Sequence, residues 1–244
     1  MGINSDITSH IGAVSGRPWR EGLGFNSMYV LGFCAGEQII TQHLYDSMMT
    51  DLLNANTYLI RKKLMKILGE EFHIYPDDNQ EDLIGYAKQK ALKLKEDIRV
   101  FSDDSESHEI LKIKARGVLD IWSQSYDFTD PNTGENIGGV QRQGGKSLLQ
   151  DSYSLYDSNN QKYGEIKEDS MMNALIRRFV PFAKLAFPQV FSMNVQGQPS
   201  ITLTQKINPI IQKLTVQIPD GNQLDRRVVL GAAMILITIE GKQN

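Results

Sequence analysis

Four stretches of this sequence repeat one pattern, and that pattern leaves few folds open. They are "FHIYPDDNQEDLIGYAKQK" from Phe72, "IRVFSDDSESHEILKIKAR" from Ile98, "YDFTDPNTGENIGGVQRQ" from Tyr126 and "YSLYDSNNQKYGEIKED" from Tyr153, with starts 26 to 28 residues apart. In each, an alternating run of aromatic and aliphatic residues leads into a turn rich in Asp, Asn, Ser or Gly. A second alternating run follows and closes on Lys, Arg or Glu. Alternation at period two is the mark of a half-buried strand, and the polar turn makes each unit a β-hairpin.

A fifth hairpin follows in "VFSMNVQGQPSITLTQKI", Val190 to Ile207, with Gly197 in its turn. "YLIRKKL" from Tyr58 and "IIQKLTVQI" from Ile210 supply outer strands, giving about twelve in a meander. Isolated hairpins are unstable, and a row of them loses its exposed edges by closing. The expected fold is therefore mainly β: a closed antiparallel barrel of about twelve strands. The insertion "SMMNALIRRFVPFAKLAF", Ser170 to Phe187, has helical spacing as far as Pro181.

The chain's last run, "LDRRVVLGAAMILITIEGKQ", has no charge and one hydroxyl between Val228 and Ile239. A segment with no polar face must be buried. As a helix those residues rise about 18 Å, short of the roughly 30 Å hydrocarbon core, which disfavours a spanning anchor. A short helix apolar on all sides suits the lumen of a wide barrel. Val228, Leu230, Met234, Ile235, Leu236 and Ile237 would then be core, with Gly231, Ala232 and Ala233 letting the wall approach. A strand remains open on pattern alone, because Ile235, Ile237 and Ile239 are β-branched at period two.

Residues 1–53 hold seven glycines, few charges and no sustained period. They read as a weakly structured or short-helical extension whose removal leaves a folded domain at 54–244. "MYVLGFC", Met28 to Cys34, is a poor lipoprotein signal, since Phe33 is bulky where a small residue is wanted.

The hairpin series and final run, with "IKARGVLDIWSQSYDFTD" and "GGVQRQGGKSLLQDSYSLYD", resemble the Tubby C-terminal-like superfamily, in particular its LURP-one-related and phospholipid scramblase-like branch. The resemblance covers about Tyr58 to Gln243 and rests on hairpin order and the final helix. It implies a twelve-stranded barrel threaded by a hydrophobic helix over 224–240, and association with phosphoinositide or phospholipid. Scramblase-type features are missing: there is no acidic calcium segment and no cysteine-rich palmitoylation stretch.

Motifs for chemistry are sparse. "GGKS", Gly144 to Ser147, has Val140 where a phosphate-binding loop needs glycine. The four histidines are scattered and Cys34 is the only cysteine, which argues against zinc, thiol chemistry and disulfides and fits a reducing, cytoplasmic compartment. No catalytic residues, metal or cofactor are expected, and the chain reads as a non-enzyme. A net charge of -3 on 244 residues argues against a nucleic-acid binder.

Charge patterning says more. The hairpin turns are acidic (Asp77, Asp78, Asp103, Asp104, Asp130, Asp157), whereas the connections between hairpins are largely basic. A closed barrel with this pattern is electrically polar. Its basic end is expected to meet anionic phospholipid or a membrane surface peripherally. The headgroup-binding residues singled out are Lys88, Lys90, Lys93, Lys95, Lys114, Arg116, Arg142 and Lys146. The alternative is a cytoplasmic protein-interaction or structural module without lipid binding.

Overall fold

A computed structural model describes residues 51–65, 69–76, 80–90, 97–117, 124–143, 152–169, 188–206 and 211–242. The chain divides into two compact units, Met1–Gln42 and His43–Asn244, and every described residue belongs to the second. That unit is a ring of strands: β1 (Thr57–Met65), β2 (Gly69–Tyr75), β3 (Gly85–Lys90), β4 (Asp97–Phe101), β5 (Glu109–Ala115), β6 (Ser125–Thr129), β7 (Asn136–Arg142), β8 (Ser152–Tyr156), β9 (Lys162–Glu168), β10 (Gln189–Val195), β11 (Ile201–Lys206) and β12 (Ile211–Gln217). Each pairs antiparallel with its sequence neighbours. The first and last strands meet through Tyr58↔Val216 and Ile60↔Leu214 and close the barrel at twelve strands.

The five expected hairpins are β2–β3, β4–β5, β6–β7, β8–β9 and β10–β11. Their turn residues act as their chemistry requires. Asp157 Oδ1 accepts hydrogen bonds from the amides of Asn159 and Gln161, at 2.9 and 2.8 Å, while Asn160 takes φ 62°. Asp130 Oδ1 likewise accepts from the Asn132 amide at 2.8 Å, and Gly134 supplies φ 75°. Short polar side chains that bond their own backbone stabilise such tight reversals. Because the strands alternate in direction, all five tips lie at one end, and the chain leaves β12 at that same end.

The final run is helical, α1, Arg226–Lys242. This settles the strand-or-helix alternative in favour of helix. Val228 through Thr238 are all buried, Leu236 to 1% exposure, and α1 packs against β5, β7 and β12. β5 and β12 are five strands apart around the ring, so the helix touches opposite walls and therefore occupies the lumen. Eight strands enclose only their own side chains, and twelve leave room for a helix. At the tip end Asp225 caps α1: its Oδ1 accepts from the Arg227 amide at 2.9 Å.

Inward side chains from every strand complete the core, among them Tyr58, Phe72, Ile98, Ile113, Phe128, Leu155, Met193 and Leu203. Leu52, in the helical turn Asp51–Asn54, is fully buried in the same cluster, and the Tyr58 hydroxyl donates to its carbonyl at 2.7 Å. The folded unit thus takes in residues N-terminal of Asn54.

Toward the opposite rim the lumen wall turns polar. Gln189↔Gln205, Gln212↔Lys62 and Glu70↔Gln89 are directly opposed pairs on the inward register of six consecutive strands. Lys62 is fully buried, with Nζ 2.9 Å from Glu70 Oε1 and 5.9 Å from the centre of the Phe72 ring. Gln205 is also fully buried, and neither end of its amide has a hydrogen-bond partner.

Candidate functional site

The outer wall over β3, β4 and β5 carries one row of basic side chains, and the wall over β1, β12 and β11 carries another, through Arg61↔Lys213 and Lys213↔Lys206. In β5, Leu111, Ile113 and Ala115 are buried toward the lumen, so Lys112 and Lys114 stand outside, two residues apart on one face. Cross-strand register sets Lys88, Arg99 and Lys112 in one outward row, through Lys88↔Arg99 and Arg99↔Lys112. Lys114 lies between Asp97 and Asp127 in the next row.

The carboxylates nearby are engaged by arginines. Arg99 Nε is 3.5 Å from Asp97 Oδ1, and its Nη1 is 3.0 Å from Glu109 Oε2. Arg116 Nε donates to Asp127 Oδ1 at 2.6 Å, and its Nη1 reaches Asn160 Oδ1 at 2.5 Å. Lys112 and Lys114 are left facing one another. The positive charge of Lys114, then burial, then Arg99 hold the Lys112 ammonium below the usual lysine range, against the opposing pull of Glu109. Two adjacent cations of this kind favour a nearby anion.

Directly beside the Lys88–Arg99 pair, Tyr86 and Phe101 form the next opposed pair on the same outward face. They are only 6% and 7% exposed despite pointing outward. His73 packs edge-on against Tyr86, with ring centres 5.5 Å apart, and stacks with Tyr75 at 6.5 Å. Burial, then the carboxylate of Glu71, raises the Tyr86 hydroxyl to about 12. Burial lowers the His73 imidazole; Glu71 opposes this, while Lys63 and Arg61 add to it.

Of the residues singled out in the sequence, the structure brings Lys88, Lys114 and Arg116 onto this wall. Lys88 pairs with Glu106 of the β4–β5 loop, Nζ to Oε1 2.7 Å, Arg116 is held as described, and Lys114 is exposed. Lys90 ends β3 and Arg142 ends β7, both at the rim opposite the hairpin tips; Arg142 is half-buried. Lys93, Lys95 and Lys146 lie outside the described residues, as do "GGKS" and Met28 to Cys34.

Arg99 is not among the residues singled out in the sequence, and Lys112, one of the basic residues between hairpins, is outside the headgroup-binding set. Their signal was the alternation in "IRVF" and "ILKIKA", which puts Arg99, Lys112 and Lys114 outward, but it takes the hairpin register to set Arg99 against Lys112. Among the described residues, no three His, Cys, Asp or Glu side chains are grouped to hold a metal ion. No helix among them is long and apolar enough to cross a membrane. Comparison of the chain with models of known families, with curated proteins and with solved structures finds no match.

Proposed function

We propose that this barrel is a non-enzymatic domain of the Tubby C-terminal-like kind, on the LURP-one-related and scramblase-like branch, that docks reversibly on anionic phospholipid at a cytoplasmic membrane surface. The observation that carries the reading is the Lys112–Lys114 pair, two adjacent outward cations that repel one another, whose neighbouring carboxylates Asp97, Glu109 and Asp127 are shared with Arg99 and Arg116. A closed twelve-stranded barrel around a buried apolar helix also agrees with the resemblance in the sequence.

The physical basis is electrostatic. Each Lys or Arg near an anionic leaflet contributes about 1 kcal/mol, so several together give reversible binding without insertion. The apolar helix is committed to the core, and the proposed contact is made by the outer wall.

Co-sedimentation with vesicles tests the reading. The full chain should pellet with phosphatidylcholine vesicles containing phosphatidylserine, stay in solution with phosphatidylcholine alone, and come off as salt rises past physiological strength, where screening falls below about 8 Å. Equal binding to neutral vesicles, or no binding to anionic ones at low salt, would overturn it.

A further inference from the structure

Resting on that reading, we infer that the loop Ser102–His108 is a strap that closes off a lipid-facing patch made of Tyr86, Phe101, Lys88 and Arg99, with the Glu106 carboxylate seated where a lipid phosphate would sit. The four residues form a square on the outer wall, an aromatic pair above a cationic pair, Tyr86↔Phe101 over Lys88↔Arg99. Such a square suits the boundary between headgroup and acyl chain, where an aromatic ring lies at the apolar edge and cations meet phosphate.

The strap's placement follows from several contacts. Glu106 Oε1 lies 2.7 Å from Lys88 Nζ, on the strand beside the one the loop leaves. The charge of Asp104 is felt by both Tyr86 and His73. Ser102 is fully buried, and its amide donates to the His108 carbonyl at 3.1 Å, which pins the base of the loop. Within it, the Ser105 amide donates to Asp103 Oδ1 at 2.8 Å.

Glu106 itself takes φ 58°, a left-handed conformation that a side-chain-bearing residue seldom adopts. The strap is therefore strained, and the Lys88 contact helps hold it. An anionic surface offers Lys88 a replacement for Glu106.

Vesicle partitioning of the full chain with Glu106→Gln tests this. Removing the charge leaves Lys88 facing only Glu71 across the β2–β3 pair, so affinity for phosphatidylserine-containing vesicles should rise, by up to about fivefold, the factor one cation at such a surface contributes. The gain should be absent on phosphatidylcholine alone and lost in Lys88→Gln/Glu106→Gln. Hydrogen exchange at the Ser102 and Ser105 amides of the unaltered chain should quicken when anionic vesicles are added. If the unaltered chain binds, but Glu106→Gln binds no better and those amides keep their protection, the strap is refuted while the lipid reading stands. If folded chains of both kinds ignore anionic vesicles, the lipid reading fails first and the strap's role with it.

Discussion

Replacing Gly231 with alanine separates a helix inside the barrel from one that lies free. In an open helix the change stabilises by about 1 kcal/mol, because glycine is the more costly residue there. Against the wall the sign reverses. A Cβ at position 231 would lie 2.9 Å from Cε1 and Cζ of Phe128 and 3.0 Å from its Cδ1, closer than such atoms approach. Phe128 is fully buried and packed within the core, so its ring has nowhere to retreat. Overpacking of this kind costs about 1–3 kcal/mol, which outweighs or cancels the propensity gain and leaves a net loss of up to about 2 kcal/mol. With the ring removed in Phe128→Leu, the same Gly231→Ala change should recover its gain of about 1 kcal/mol. Urea unfolding of the four proteins gives the coupling directly, expected at about 1–3 kcal/mol. A Gly231→Ala variant that is stabilised in the native background, with no coupling to position 128, would refute the lumenal packing.

Other outcomes follow from the same structure. Truncation after Gln223, or Leu236→Asp, should leave an insoluble or molten product, because the first removes the core helix and the second buries an unpaired charge; a cooperatively melting product would contradict this. Leu52→Ala should cost about 2–5 kcal/mol as a core deletion, and a deletion through residue 53 should be destabilised at least as much. Burial alone would raise the Asp130 carboxyl, but the Asn132 amide and Arg227 guanidinium bring it below the usual range, with Arg227 Nη1 2.7 Å from Asp130 Oδ2. A carboxyl depressed on folding adds stability above its unfolded value of about 3.9 and loses it as pH falls through the folded value. Arg227→Gln should therefore flatten the acid limb of a plot of melting temperature against pH, and an unchanged limb would exclude the pair as its cause. Gln205→Leu should raise the melting temperature, since it replaces a buried amide without partners by an apolar side chain.

The barrel was legible in the sequence because a hairpin is a local object. Asp130 and Asp157 stand beside the strands they reverse, and each pair of alternating runs states its own inward face. The helix was legible for a different reason: a run without a polar face has to be enclosed, and Gly231 marks where the wall comes close. Pairings set by the ring rather than by a single turn were not legible. Lys62 sits in "YLIRKKL" among other cations, and its place opposite Gln212 depends on the closure of β1 on β12. Arg99, Lys112 and Lys114 could be assigned outward, but which carboxylates they would lose to neighbouring arginines is decided by rotamers across three strands. Lys88 shows the same difficulty, since the composition of "SDDSESHE" says acidic turn without saying that the turn lies back on the wall.

The most direct test of the account is charge reversal at its centre. Lys112→Glu/Lys114→Glu reverses two adjacent outward cations of the β5 wall, and at about 1 kcal/mol each the affinity for phosphatidylserine-containing vesicles at low salt should fall at least about thirtyfold. Lys162→Glu, at the tip end and 3.4 Å from Glu165, serves as the control and should leave binding unchanged. A folded Lys112→Glu/Lys114→Glu variant that partitions onto anionic vesicles as well as the native chain would contradict the claim that this wall meets the membrane.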